Sequence, residues 1–249
     1  MPATPKTAAA LIIGNEILSG KVDEANLGVL ARALRGVGIL LSRVVMVSDD
    51  VDVIAREVTT LSAGHDWLFT SGGVGPTHDD VTIDAVARAF GVTVLSDPTL
   101  EAMIRAHYEA RGTVAGAAHL RMARVPEGAA LETLPDVPWP TVRVQNTWVM
   151  PGVPEAFRMK IPVVVARLRG ASAFVSRAVY TKMDEGDLKP LLDRVVDSFP
   201  DVEVGSYPKW NEPTYRTKLT FDGLDAIRVE AARDAFVASL PGGEPQRLD

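Results

Sequence analysis

Cysteine is missing from all 249 residues, and with it go disulfides, thiolate nucleophiles, iron–sulfur clusters and any zinc site built on sulfur. A reducing compartment suits such a chain, and a cytoplasmic location is expected. Excess positive charge is missing too. The formal charge is −6 with acids and bases interspersed, so no face offers the phosphate neutralisation that a duplex demands, and nucleic acid is not expected as a partner. Long apolar runs are also absent. The stretch from Ala8 to Ile13 lies behind a single Lys6 and stops at Gly14, too short to span a bilayer and poorly shaped for a signal peptide, so no membrane partner is expected.

What is present is a chain with 47% hydrophobic residues, enough to bury a substantial core, and long enough for one medium domain plus a small one. The first 95 or so residues alternate short apolar runs with amphipathic segments, the pattern of parallel strands joined by crossover helices. Ala8 to Ile13, Leu40 to Val47 and Trp67 to Thr70 read as strands. Between them, Asp23 is expected to cap a helix carrying Leu27, Leu30, Ala31, Leu34 and Val37. Ser48 or Asp49 is expected to cap another carrying Val51, Ile54, Val58 and Leu61. A third apolar stripe, Ile83, Val86, Ala87 and Phe90, ends at Gly91. Asp97-Pro98 opens a helical stretch to about 122 that Gly112 interrupts. Pro126 to Pro140 is rich in Pro and Gly, Thr141 to Met150 reads as two short strands or a hairpin, and a helix from Glu155 to about Arg169 closes a domain over 1–170.

Small residues at Gly170 to Ala173 signal a linker. The pattern then changes to strand (Arg177 to Lys182), helix (Asp187 to Phe199), two strands (Val202 to Tyr207, Tyr215 to Phe221) and helix (Asp225 to Leu240). This is a small α+β appendage over 175–240, and the tail Pro241 to Asp249 is expected to be disordered.

The chemistry concentrates at strand ends. Gly72-Gly73-Val74-Gly75-Pro76-Thr77 removes three side chains from a turn between a strand and a helix. Backbone N–H groups can there approach an anion, with the helix dipole behind them and the Thr77 hydroxyl beside them. A glycine run alone is equally a tight connection. Asp79 and Asp80 follow, Glu16 comes after the first strand, and Asp49-Asp50 after the second. Each acid alone reads more readily as a helix cap than as a ligand. Together on one edge of a parallel sheet they suggest a hard cation held by oxygen ligands, Mg²⁺ or a similar ion, beside a phosphate-bearing ligand. His78 is a tempting proton carrier, although a lone loop histidine is more often simply exposed. In the appendage, Gly205-Ser206-Tyr207-Pro208-Lys209-Trp210-Asn211 can stack on a base or flavin ring, or form a strand end and turn with partly buried aromatics.

Four separated motifs carry a resemblance. Gly14-Asn15-Glu16-Ile17-Leu18-Ser19-Gly20, Asn26, the run Gly72 to Thr82, and Met150-Pro151-Gly152-Val153-Pro154 resemble the molybdopterin-binding (MoaB/MogA-like) domain in its CinA-type version, over roughly residues 6–170. Ser176 to Tyr180, Asp184-Glu185, Gly205 to Pro208 and Tyr215 to Thr220 are similar to the N-terminal part of eukaryotic FAD synthases. The resemblance implies a MogA-like three-layer αβα sandwich with a mostly parallel sheet, plus the small α+β domain. It implies phosphate-binding roles for Gly72, Gly73, Gly75, Thr77, Gly14, Asn26 and Gly152, and, among the strand-end acids, it makes Glu16, Asp49 and Asp80 the expected ligands of a divalent cation (Mg²⁺, Mn²⁺ or Co²⁺) and Asp80 and Asp49 the expected catalytic acids. It also implies a nucleotide or pterin ligand and a homo-oligomer. Neither an adenylyltransferase nor an amidohydrolase domain lies in this sequence, so FAD synthesis and nicotinamide-nucleotide deamidation are not expected of it. Two functions remain: metal-dependent pyrophosphatase action on ADP-ribose or FAD with release of AMP, and non-catalytic binding of a molybdopterin or nucleotide.

Overall fold

The computed structural model describes residues 5–168 and 172–249, and the chain forms two compact units. The larger unit begins with β1 (Lys6–Ile13), a short α1 (Asn15–Leu18), α2 (Leu27–Gly36), β2 (Ile39–Val47), α3 (Val51–Gly64), β3 (Trp67–Ser71) and α4 (Thr82–Phe90). It continues through β4 (Val94–Ser96), α5 (Pro98–Glu109), α6 (Ala117–Leu120), β5 (Arg124–Pro126) and β6 (Ala130–Glu132), and ends with the hairpin β7 (Thr141–Val144) and β8 (Thr147–Met150) and then α7 (Pro154–Arg167). Six strands form one sheet in the order β2-β1-β3-β8-β7-β6. The first four are parallel, and β7 and β6 are antiparallel. This is the mostly parallel α/β sandwich that the sequence implies.

Position in the sheet explains composition. Ala8 to Ile13 of the inner strand β1 are all buried, because helices cover both faces and an unbroken apolar run is the result. Leu11, Ile13, Ile54, Val58, Leu61, Leu68 and Val86 pack into one core cluster. All four parallel strands end on the same edge, so the loops after Ile13, Val47, Ser71 and Met150 are neighbours.

Several boundaries differ from the sequence expectation for local reasons. Glu24, not Asp23, serves the start of α2, its carboxylate accepting from the N–H of Asn26 and Leu27. Asp50, not Ser48 or Asp49, caps α3 by accepting from Asp52 and Val53, which releases Asp49 for another contact. Asp97 caps α5 with Pro98 in its first turn. The helical stretch to 122 splits at Gly112, whose φ is 69°. Expected only as a Pro- and Gly-rich stretch, residues 126–140 include β6, and a separate pair, β4 with β5, joins segments far apart in sequence.

The smaller unit holds β9 (Val175–Thr181), α8 (Glu185–Ser198), β10 (Glu203–Pro208), β11 (Thr217–Gly223), α9 (Ala226–Ala238) and β12 (Arg247–Leu248), with sheet order β10-β11-β9-β12. Its core gathers Val179, Leu188, Leu219, Phe221, Val229 and Phe236. The linker expected at Gly170 to Ala173 falls partly outside the described residues. The tail is not disordered as expected. It supplies β12, which pairs antiparallel with β9 and satisfies backbone groups that would otherwise line an open edge. The Tyr180 hydroxyl donates to Asp249 at 2.7 Å and the Arg247 guanidinium stacks 3.8 Å over the Tyr180 ring.

Candidate functional site

The glycine loop between β3 and α4 is built as tightly as a core. Gly72 has φ 115°, and a Cβ there would sit 2.1 Å from the Ile13 carbonyl oxygen. Gly73 has φ 64°, and its Cβ would meet the Thr82 hydroxyl at 2.4 Å. A Cβ on Gly75 would press on the Asp80 carboxylate at 2.7 Å, and one on Gly152 would lie 3.2 Å from the Gly72 Cα. Gly72 is thus required both by its backbone conformation and by a neighbouring strand end, Gly73 by its conformation and by the first turn of α4, and Gly75 and Gly152 by close neighbours alone.

Thr82, fully buried, clamps the loop to the first turn of α4. Its hydroxyl donates to the Gly72 carbonyl at 2.8 Å and its N–H to the Gly73 carbonyl at 3.0 Å. The Gly72 N–H donates to the Met150 carbonyl, so Gly72 shapes the loop but has no donor left for an anion. Among the described residues no acceptor meets the N–H of Gly73, Val74 or Gly75. Those three are the donors the loop offers. Thr82→Val keeps the shape and removes the hydroxyl, leaving the Gly72 carbonyl unpaired. It is expected to cost about 1–3 kcal/mol, read from the denaturant midpoint at unchanged m-value.

Asp80 faces the loop rather than capping α4. Its Oδ2 accepts from the Thr77 N–H at 2.7 Å and the Thr77 hydroxyl at 2.6 Å, and Arg121 donates to its carbonyl at 3.1 Å. The Thr77 hydroxyl is therefore already engaged. Asp49 reaches across to the first loop, its Oδ2 accepting from the Asn15 N–H at 2.8 Å, while the Gly14 N–H donates to the Val47 carbonyl. Glu16 is exposed on α1. Among the described residues no three acidic or histidine side chains gather as a metal site, so Glu16, Asp49 and Asp80 do not converge in the way expected. Two of them spend an oxygen on loop N–H groups instead. His78 is exposed, its Nδ1 lying 3.9 Å from the Asp79 carboxylate.

Asn26 is 4% exposed and ties three loops together, its amide donating to the Ser71 hydroxyl at 3.0 Å and to the Gly152 carbonyl at 2.8 Å. Its remaining atom, the buried Oδ1, has no partner among the described residues. That atom is an acceptor, so Asn26 supports the loops and cannot itself donate to phosphate.

Beside the loop opens a cavity of about 330 Å³ that sequence reasoning missed. Gly73, Val74, Gly75 and Asp80 line it, together with Ile83, Leu100, Ile104, Met122 and Val142, the aromatic rings of Tyr108, His107 and Trp139, and the cations Arg121, Arg124 and Lys160. Arg124 is paired with Asp84. Lys160 donates to the carbonyls of Trp139 and Pro140, both at 2.6 Å, and burial lowers its pKa to about 8. No sequence pattern announces this cavity, because α5, the segment around Trp139 and α7 meet only in the fold. In the smaller unit, Trp210 is 92% and Tyr207 52% exposed. The expected strand end and turn are there, with the aromatics outside rather than partly buried.

These features define a class: a three-layer α/β sandwich with a glycine loop at the carboxyl edge of its parallel strands, followed by a small α+β domain. The chain belongs to the molybdopterin-binding domain family. Residues 9–170 match the family described as "Probable molybdopterin binding domain", and residues 173–249 match "FAD synthase, middle domain". A "Probable FAD synthase" of Caenorhabditis elegans is 30% identical over 95% of this chain and 50% of its own length, so the chain spans about half of such relatives. A protein of Archaeoglobus fulgidus is 32% identical over 90% of this chain and 93% of its own. The crystal structure of a CinA protein of unknown function from Thermoplasma acidophilum is 27% identical with a TM-score of 0.57, covering 65% of this chain and 97% of that one.

Proposed function

We propose that the larger unit binds a phosphate-bearing nucleotide or pterin, with the phosphate on the glycine loop and the ring in the neighbouring cavity. The observation that carries this reading is the set of N–H groups at Gly73, Val74 and Gly75, unpaired among the described residues, lying ahead of α4 and lining an aromatic and cationic cavity. Arg121 and Lys160 line that cavity without a carboxylate partner among the described residues, which favours an anionic ligand in an otherwise acidic chain.

Cleavage of the pyrophosphate of ADP-ribose or FAD, with release of AMP, is the catalytic form of this proposal. Asp80 and Asp49 each keep one oxygen that no donor among the described residues engages. This fits a cation that takes its other ligands from the substrate's phosphates, the usual habit of Mg²⁺. When bound, Mg²⁺, Mn²⁺ or Co²⁺ would neutralise pyrophosphate charge and help activate water. The protein's share is to hold the phosphate on fixed N–H donors, to place the acids and to keep the ring out of water.

Pure binding is the second reading, favoured by the oxygens that Asp49 and Asp80 already commit to loop N–H groups. A panel of FAD, ADP-ribose and a pterin phosphate, each assayed for AMP release and for binding with and without each cation, separates the two. AMP release that requires the cation is the expected outcome. Tight binding without release under any cation leaves the chain a carrier, and no binding at all defeats both readings.

A further inference from the structure

Lys160 is a cation in a largely apolar cavity, and no carboxylate pairs with it among the described residues. It lies on α7 and lines the space bounded by Trp139, Tyr108 and Ile104. Two of its three N–H groups are used by the carbonyls of Trp139 and Pro140 at 2.6 Å each. Among the described residues the third has no acceptor. Withdrawing an ammonium from water is costly unless its remaining donors find acceptors, and the cavity walls around it are largely apolar or aromatic.

An aromatic-lined space with one fixed charged donor suits a flat ring bearing an acceptor. We propose that Lys160 is a specificity-determining donor that reads a ring carbonyl oxygen, so that the cavity prefers an oxo-bearing heteroaromatic ring of the pteridine or isoalloxazine kind over adenine. Adenine's exocyclic amine is itself a donor and leaves only in-ring nitrogens to accept, whereas a lactam oxygen projects beyond the ring edge with two lone pairs and accepts from the ammonium directly. The inference rests on the reading of the glycine loop as a phosphate site, and names which end of a dinucleotide enters the cavity.

Protonation gives the proposal a signature. With two N–H groups held by carbonyls, loss of a proton turns the third position from a donor into a lone pair that faces the ring oxygen. The free Lys160 pKa of about 8 places this change within reach. The protonated form is the binding form, so affinity is full below pH 8 and falls as pH rises through it. The other ionisable groups lining the cavity are Asp80, His107, Tyr108, Arg121 and Arg124, the last paired with Asp84, and a Lys160→Met variant separates their titration from that of Lys160.

The test measures binding of FMN and of AMP to wild-type protein, Lys160→Met and Lys160→Arg between pH 7 and 9. FMN is expected to bind more tightly than AMP, to lose about 10- to 100-fold in affinity on Lys160→Met, as for a hydrogen bond to a charged donor, and to weaken in wild type above pH 8. Lys160→Met is expected to show a flat profile, Lys160→Arg to remain pH-independent with part of the FMN affinity restored, and AMP to change little throughout. Equal loss for AMP and FMN, or a flat wild-type FMN profile, overturns the role of Lys160 and leaves the loop reading intact. The wild-type profile needs no variant to fold. If neither ligand binds wild type at any pH, the phosphate-site reading fails with it.

Discussion

Gly72→Ala is expected to unfold the larger unit at a temperature about 6–12 °C lower than wild type. Two costs add at this position. An alanine at φ 115° sits in a conformation that L side chains rarely adopt, and its methyl would lie 2.1 Å from the Ile13 carbonyl oxygen. That oxygen belongs to the inner strand β1, which is buried on both faces and cannot yield. A strained conformation alone costs about 1–3 kcal/mol, and the collision brings the total to about 3 kcal/mol or more. In a chain of this size each kcal/mol moves Tm by about 2–4 °C. Gly64, near the end of α3, is the control: nothing lies within 4 Å of its added Cβ and its φ is not positive. Gly64→Ala is expected to be neutral or stabilising by up to about 1 kcal/mol. Calorimetric scans of the three proteins decide the matter, and equal transitions for both variants would remove the packing argument for the loop.

Asp80→Asn is expected to abolish AMP release while sparing ligand binding. An asparagine oxygen can still accept from the Thr77 N–H and hydroxyl that Asp80 now holds at 2.7 and 2.6 Å, so the loop should keep its shape. What disappears is the charge. Removal of one electrostatic element of this kind from a preorganised site typically costs about 100- to 1000-fold in turnover. Affinity for ADP-ribose is expected to hold within about 10-fold, or to rise, since a negative charge beside the phosphate is gone. If turnover survives the substitution, Asp80 only braces the loop. If binding vanishes with turnover while Tm is unchanged, the carboxylate itself is needed to hold the ligand.

The larger unit was legible in the sequence wherever burial imposes a period. The run Ala8 to Ile13 declares an inner parallel strand, and the stripes at Leu27 to Leu34 and Val51 to Leu61 declare their helices. Choices among adjacent capping groups were not legible. Glu24 beside Asp23, and Asp50 beside Asp49, offer equivalent chemistry to a helix end, and only the path of the chain selects between them. That selection matters here, because it frees Asp49 to hold the Asn15 N–H.

The glycine loop announced itself through three glycines after an apolar strand. Its division of labour did not. Gly72 and Thr77 have their donors occupied, Asn26 presents an acceptor, and Thr82 makes the clamp from what reads as an ordinary first helical residue. The cavity was wholly hidden, since Leu100, Trp139 and Lys160 are separated by some tens of residues and share no motif. The tail misled for a related reason. Polar and proline-containing, it reads as unstructured until the exposed edge of β9 gives its backbone a partner.

The central claim is that Gly73, Val74 and Gly75 hold the ligand's phosphate through their N–H groups. Titration of isotope-labelled protein with ADP-ribose or FAD at pH 7, followed by backbone amide shifts, tests it directly. The account predicts that these three amides move together, saturate with the measured affinity and show slowed exchange, while the Gly72 amide, already bonded to Met150, moves least among the loop glycines. Ligand binding with the three amides unmoved would contradict it.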